Sequence, residues 1–217
     1  MDAVTDADAR VRWLEVHDEL LRGVTHALSN RVATMSAAAY MLEYDDVTGP
    51  QAAASLRVET DRMDALLQVL RLLPSRDDRE FEPVSPGDVI AQAVALHAHH
   101  CDLRDVPVSV TLSDAVLPVW VEPHAFLQAV LLTLTGAKRA AIAVGGAVRV
   151  SVDGDADDVR VMVHPEHAGA THDPQAVRDA AAANGCLRSA RGSAQASADG
   201  GCVLTLPTLP AARRAGR

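Results

Sequence analysis

Aromatic side chains are nearly missing from this chain: two tryptophans, two tyrosines and two phenylalanines serve 217 residues. Its core must therefore come from alanine, valine and leucine, a palette that favours helices packed through small and branched side chains. Lysine is scarcer still. Lys138 stands alone, the remaining positive charge is arginine, and the net charge is −9. A nucleic-acid binder normally carries a basic face, so that class is excluded. The three cysteines, Cys101, Cys186 and Cys202, are an odd number without paired spacing and imply no disulfide framework. They read most simply as buried small hydrophobes. No apolar run approaches the roughly 20 residues of a membrane span. The opening Met1-Asp-Ala-Val-Thr-Asp6 is acidic rather than signal-like. The expectation is a cytoplasmic chain with no membrane and no nucleic acid among its partners.

What is present begins with a long helical pattern. Leu14, Leu21, Leu28, Met35 and Leu42 recur every seven residues, with Val24, Val32 and Ala39 widening the stripe. Such a repeat is the seam of a bundle or coiled coil. The first helix is expected over Asp6 to Tyr44. Asp45-Asp-Val-Thr-Gly-Pro50 supplies turn chemistry, and a second helix runs from Gln51 to Leu73 on Leu56, Met63, Leu66, Leu70 and Leu73. One hairpin cannot cover both stripes, whereas two from two chains can, so a homodimeric four-helix bundle is expected. At about 100° per residue, His26 lies about 200° round from Leu28. It projects away from the seam, beside Arg22, Ser29 and Asn30, as a solvent-facing imidazole on a rigid helix.

The second part mixes element types. Ser85-Pro-Gly-Asp88 starts a helix that runs to His100, with Ser85 as cap and Pro86 in the first turn. Residues 106–112 and 116–121 alternate like strands, and Glu122-Pro-His opens a helix over 125–144. Val148 to Asp153 and Val159 to Val163 form a hairpin of strands. A helix from Pro174 is expected to stop at Asn184-Gly185, before strands at 187–198 and 203–206. This order predicts an α+β sandwich with helices on one sheet face. The expected division is a hairpin over 1–74, a linker over 75–82, the sandwich over 83–210 and a disordered tail over 211–217.

Several local sequences resemble the transmitter core of sensor histidine kinases, over about residues 10 to 207. His26-Ala-Leu-Ser-Asn30-Arg-Val looks like the phospho-acceptor box, usually His-Glu-Leu-Arg-Thr/Asn-Pro-Leu. Phe126 to Ala140 looks like the helix that carries the N box, and Asn184-Gly185 with the closing hairpin looks like the family's C-terminal end. The resemblance implies a dimerisation and phosphotransfer hairpin followed by a Bergerat-like (GHKL) ATPase-type sandwich.

Departures from the family pattern redirect that expectation. Thr133 stands where the family has the asparagine that holds Mg²⁺, and Gly136 where it has a second asparagine. Pro165, in His164-Pro-Glu-His-Ala-Gly169, falls where the adenine-reading aspartate belongs, and the lid with its Gly-rich box is missing. Without metal ligand or phosphate cradle nothing would stabilise a transferring γ-phosphoryl group, so no ATP and no autokinase activity are expected. Ala27 replaces the acid that takes the imidazole proton during attack on ATP. Exchange with an aspartyl phosphate needs that acid less, because the receiver brings its own Mg²⁺. The combination is similar to the ChpT-type histidine phosphotransferases, which relay a phosphoryl group between response-regulator receiver domains. It implies His26 as acceptor, Asn30 as a positioning residue, Arg22, Ser29 and Arg31 as receiver contacts, and no cofactor or metal of the chain's own. The alternative is a non-catalytic pseudo-histidine kinase that scaffolds or regulates a two-component pathway. An active kinase with an unusual nucleotide site, and a receiver phosphatase acting through Asn30, also remain open.

Other histidines compete for attention. His17-Asp18 could be an acceptor pair, but His17 lies close to the Leu14/Leu21 seam. His97-Ala-His-His100 lacks a carboxylate or cysteine partner at metal-ligand spacing and reads as a solvated helix end. His164 and His167 read as loop residues.

Overall fold

The computed structural model describes residues 6–43, 49–71, 73, 80–166 and 174–215. Two helices, α1 (Asp6–Glu43) and α2 (Gly49–Arg71), form a long hairpin. An α/β sandwich follows: β1 (Glu82–Val84), α3 (Pro86–His97), β2 (Val108–Leu112), β3 (Val119–Val121), α4 (Pro123–Ala143), β4 (Val148–Gly154), β5 (Asp158–Pro165), α5 (Pro174–Leu187), β6 (Ser193–Ala196), β7 (Cys202–Pro207) and α6 (Leu209–Ala215). The expected turn at Asp45 to Thr48, the linker from Pro74 to Arg79, and His167 and Gly169 lie outside the described residues.

The main sheet has the order β2-β4-β5-β7-β6, with β2 parallel to β4 and the other pairs antiparallel. β1 and β3 make a separate two-stranded ribbon. Alternation decides which face is covered. Val148, Val150 and Val152, then Val159, Val161 and Val163, then Cys202, Leu204 and Leu206 point inward, none more than 4% exposed. Each buried Val or Leu contributes roughly 1.5–3 kcal/mol relative to exposure. The opposite face is solvated, and Arg160 pairs with Asp153 across it at 2.9 Å. Ser85 caps α3 as expected, accepting the Asp88 amide at 3.4 Å. Helix α4 is the one described helix long and apolar enough to cross a membrane, but 83% of that window is buried as the central helix of the sandwich.

The first half of α1 docks onto the sandwich, where Ala9, Trp13, Val16 and Leu20 join the same apolar core as the sheet. The stripe that docks is therefore not the heptad: Leu14 is 53% exposed, while Leu21, Leu28, Met35 and Leu42 are only half-buried. Of the expected seam residues of α1, Val24 alone is fully buried.

Four other expectations are corrected. Helix α5 does not stop at Asn184-Gly185. A Cβ at Gly185 would lie 3.0 Å from that of Ala9, so the glycine serves close packing of α1 on α5, and Asn184 accepts the Ala194 amide at 3.0 Å. The strand expected from 187 begins only at Ser193, after a 3-10 turn over Arg188–Ala190. Residues 211–215 belong to α6 rather than to a disordered tail, with the Thr208 hydroxyl accepting the Ala211 amide at 3.2 Å and Arg214 paired to Asp157. Cys101 is exposed and Cys186 half-buried, so only Cys202 is buried outright.

His97 and His100 are also not a solvated helix end. Both are buried, with rings stacked 5.5 Å apart. The Thr135 hydroxyl donates to the Leu131 carbonyl, so the His97 Nε2–H donates to the Thr135 oxygen at 3.1 Å. Nδ1 is left as a buried acceptor without a partner. Burial, then the charge of Lys138, holds the His97 pKa well below its ordinary value. His100 accepts the Asp102 and Leu103 amides at Nδ1, which leaves Nε2–H to donate to Glu19 at 3.2 Å.

That last bond belongs to an ionic cluster joining α1 to the sandwich. Arg12 pairs with Asp179 of α5. Glu19 accepts from Arg139 of α4 at 2.7 Å, and Arg139 lies 3.9 Å from Asp179. Burial pushes the Asp179 carboxyl above its ordinary value, against the pull of Arg12 and Arg139. Glu19 is held below its own, first by the bond from His100, against desolvation and with help from Arg139.

Candidate functional site

His26 sits on α1 just beyond the docked half. Its imidazole is exposed, and the Asn30 amide nitrogen one turn later lies 3.3 Å from Nε2. A single continuous helix fixes both, so their relation does not depend on a loop. One turn earlier, Gly23 lets the α1 backbone press onto the end of α3: a Cβ there would come within 1.9 Å of the His99 carbonyl oxygen. The sandwich is thereby held against α1 directly below His26.

A cleft of about 690 Å³ opens where α1, α2 and the segment after α3 meet. Arg22, His26, Asn30 and Arg31 line it from α1, Arg62 from α2, and His99, Cys101 and Arg104 from the sandwich. Glu59 of α2 stands behind it and organises two of the arginines. Its Oε2 accepts from Arg31 at 3.2 Å and its Oε1 from Arg62 at 2.5 Å. Desolvation works to raise the Glu59 carboxyl, but the bonds from Arg62 and Arg31 win and lower it. Arg22 pairs with Asp18 at 2.9 Å. Burial, then the nearby charge of Arg31, lowers the His99 pKa.

The fold thus gathers His26, Asn30, Arg22 and Arg31 around one opening. Ser29 is not on it. It lines a shallower depression of about 430 Å³ with Leu21, Thr25 and His26, and its hydroxyl bonds back to the Thr25 carbonyl at 3.0 Å. His17 is half-buried with its ring edge-on to Trp13 at 5.6 Å. Nothing in the sequence pattern marks Arg62, His99 and Arg104, because the cleft joins three segments remote along the chain. Gly23 does carry a signal: an isolated glycine inside a helical run costs about 1 kcal/mol against alanine and usually has a packing reason.

The positions at which the resemblance places magnesium and nucleotide ligands do not fit them. Thr133 is buried, and its hydroxyl bonds the carbonyls of Ala129 and Val130 in its own helix, both at 3.0 Å. Beside Gly136 a Cβ would meet Asp179 Oδ2 at 3.1 Å and the Ala176 backbone at 3.3 Å, so α5 closes over this point of α4. Pro165 ends β5 in a buried position, and the neighbouring His164 bonds Asp199 at 2.9 Å. Among the described residues no group of three or more His, Cys, Asp or Glu could hold a metal ion.

The sequence matches no protein-family model and no curated protein. Among solved structures, the chain is similar to the histidine kinase AdeS of Acinetobacter baumannii at 13% identity and a TM-score of 0.46, covering 84% of this chain and 96% of that one. It is similar to the catalytic domain of histidine kinase ThkA at 14% identity and 0.48, covering 62% and 99%. A bacterial phosphotransferase gives 15% and 0.43, covering 88% and 95%. Likeness at this level says nothing about chemistry. The architecture, a helical hairpin followed by an α/β sandwich, rests on the elements and pairings of the chain itself.

Proposed function

We propose that this chain is a histidine phosphotransfer protein of a two-component pathway, relaying a phosphoryl group between receiver domains through His26 without using ATP. The observation that carries the reading is a pairing of opposites. An exposed imidazole with a carboxamide 3.3 Å away stands at the lip of an arginine-lined cleft, while the positions expected to bind nucleotide are packed shut at Thr133 and Gly136.

The chemistry needs only a neutral imidazole and a donor that brings its own metal. Nε2 attacks the phosphorus of the receiver's aspartyl phosphate. The N–P bond forms as the acyl O–P bond breaks, and the aspartate leaves as a carboxylate. A receiver's own Mg²⁺ would supply the balancing charge, while the Asn30 amide, 3.3 Å from Nε2, turns from the imidazole to a phosphoryl oxygen. The same step in reverse passes the group to a second receiver. The hairpin's uncovered apolar side chains, Leu14, Val32 and Met41 among them, favour a second copy of the chain as a partner, giving a four-helix bundle.

The deciding experiment offers purified, radiolabelled phospho-receivers from the same genome and scores acid-labile label on wild type and on His26→Ala. Label on wild type alone supports the relay and assigns the acceptor. Binding without label on either overturns it and leaves a scaffold. Labelled ATP is expected to leave the protein unlabelled.

A further inference from the structure

The cleft beside His26 is unusual for this molecule. The chain carries 29 acidic residues against 20 basic ones, yet among the described residues the cleft is lined by four arginines and two histidines, and by no aspartate or glutamate. We propose that it is a phosphoryl-oxyanion site, in which Arg62 of α2 and Arg104 of the sandwich, with Arg31, hold the phosphoryl group as it joins and leaves His26. That His26 is the acceptor rests on the reading above; the oxyanion site itself does not.

Geometry supports the assignment at three points. Glu59 is a single carboxylate shared between Arg31 and Arg62, one guanidinium on each oxygen. The trio keeps a net positive charge, and among the described residues most of its guanidinium N–H groups have no acceptor. Among the described residues, the Arg104 side chain has only a 3.6 Å contact with the exposed Asp105. A guanidinium anchored on one edge presents a planar fork that matches two phosphoryl oxygens, which a flexible ammonium would not do. Finally, the close approach at Gly23 fixes the His99 wall against α1, so Arg104 stands at the His26 opening without any domain closure. Preorganised charge of this kind costs no reorganisation as the reaction proceeds.

The test uses the full chain and inorganic phosphate. Imidazole ¹H–¹⁵N signals of His26 and His99 are followed during titration at constant ionic strength, with acetate as the comparison anion. Saturable binding of phosphate, and much weaker binding of acetate, is expected. Arg62→Gln and Arg104→Gln should each weaken it about tenfold, the loss of one charge-assisted hydrogen bond, with partial rescue by Arg62→Lys. Both side chains are more than half exposed, so the variants should fold. Arg57→Gln, elsewhere on α2, is the control and should bind as wild type does.

His26→Ala should keep phosphate binding while losing transfer, which separates the two proposals. If wild type takes no label yet binds phosphate through Arg62 and Arg104, the site stands and the acceptor reading falls. With a phospho-receiver as donor, Arg62→Gln and Arg104→Gln should lower the saturating transfer rate and leave the receiver concentration for half-maximal rate unchanged. The reverse split, with half-saturation shifted and rate intact, would make these residues contacts for an acidic protein surface and overturn the proposal. Non-saturable phosphate shifts, or shifts indifferent to both arginines, would overturn it as well.

Discussion

The two halves of α1 are built to opposite rules. From Ala9 to Val24 the helix buries Ala9, Trp13, Val16 and Leu20 in the core it shares with the sandwich, buries Val24 as well, and ties itself there with Arg12 and Glu19. Beyond Val24 none of its described residues is buried, and Val32, Tyr40 and Met41 are each more than 40% exposed. One rigid rod thus has an end committed to its own chain and an end that offers surface. His26 stands two residues past the change. The lesson is positional: a reactive group at that boundary is anchored by the docked half, yet open to whatever approaches the free half.

The sharpest way to break the contrast is to unpin the docked half. Asp179 is 1% exposed at its side chain and holds Arg12, itself 9% exposed. Removing Asp179 leaves the buried Arg12 guanidinium with the largely exposed Glu15, 2.7 Å away, as its ion partner. Breaking a buried pair costs about 3–5 kcal/mol, and Glu15 keeps the loss toward the lower end. Asp179→Ala should therefore lower the unfolding midpoint more than overpacking at Gly23 or any single change in the free half. Replacing both partners, as Arg12→Met with Asp179→Leu, should return most of the loss, since each already leaves one buried polar atom without a hydrogen bond. Urea denaturation of wild type and the two variants tests this. A double variant as unstable as Asp179→Ala would mean the pair does more than neutralise itself.

Next in size is the backbone contact. Gly23→Ala places a methyl where the His99 carbonyl stands, whereas at Gly49, the first residue of α2, nothing lies within 4 Å of an added Cβ. Overpacking of the first kind costs typically about 1–3 kcal/mol, and the second change should be neutral within about 0.5 kcal/mol. Because α1 must shift off His99, Gly23→Ala should also open the cleft and slow transfer, while Gly49→Ala should leave it unchanged. Equal midpoints for the two would sink the picture of a docked half.

The contrast also explains what the sequence makes legible. The positions of α1 to α4 are legible because amphipathic periodicity, the Ser85 cap and Pro86 are local signals, whereas the end of α5 and the whole of α6 are not. Strands β4 and β5 follow from valine alternation, whereas β1, three residues at the end of the expected linker, and the valine-free β6 carry no such signal. Which face of α1 docks is not legible, since a heptad of leucines and a separate stripe of Ala9, Trp13, Val16 and Leu20 coexist on one helix. Periodicity reports that a face is apolar, not which neighbour takes it. Asn184-Gly185 resembles a helix stop because the close approach of Ala9 comes from residues far away in sequence. His26 and Asn30 are readable as i, i+4 neighbours on one surface. Arg62, His99 and Arg104 are not, since only the tertiary fold brings three segments to one opening.

A smaller effect comes from pH, again on the docked side. Buried His97 has a folded pKa depressed well below its value in the unfolded chain, about 6.5. The stability it protects is complete above that value and is lost as pH falls below it, because the unfolded chain takes up a proton that the folded one refuses. The slope is at most about 1.4 kcal/mol per pH unit. The charges of Lys138 and Arg139 oppose protonation further. Stability measured from pH 7 to 5.5 should fall less steeply in His97→Gln than in wild type; parallel curves would mean that His97 is protonated in the fold.

The smallest effect on stability should come from the free half, and there the readout changes. Val32 is 53% exposed, and removing a surface valine from a monomer shifts stability by no more than about 0.5 kcal/mol. If a second copy covers that face, Val32→Asp places a carboxylate in an apolar interface. The loss should then be concentration-dependent: sedimentation should show dissociation at concentrations where wild type is paired, with the docked half and the His26 cleft intact. A wild type that sediments as a monomer throughout would leave this face to another partner, and the receiver that approaches His26 would be the first to test.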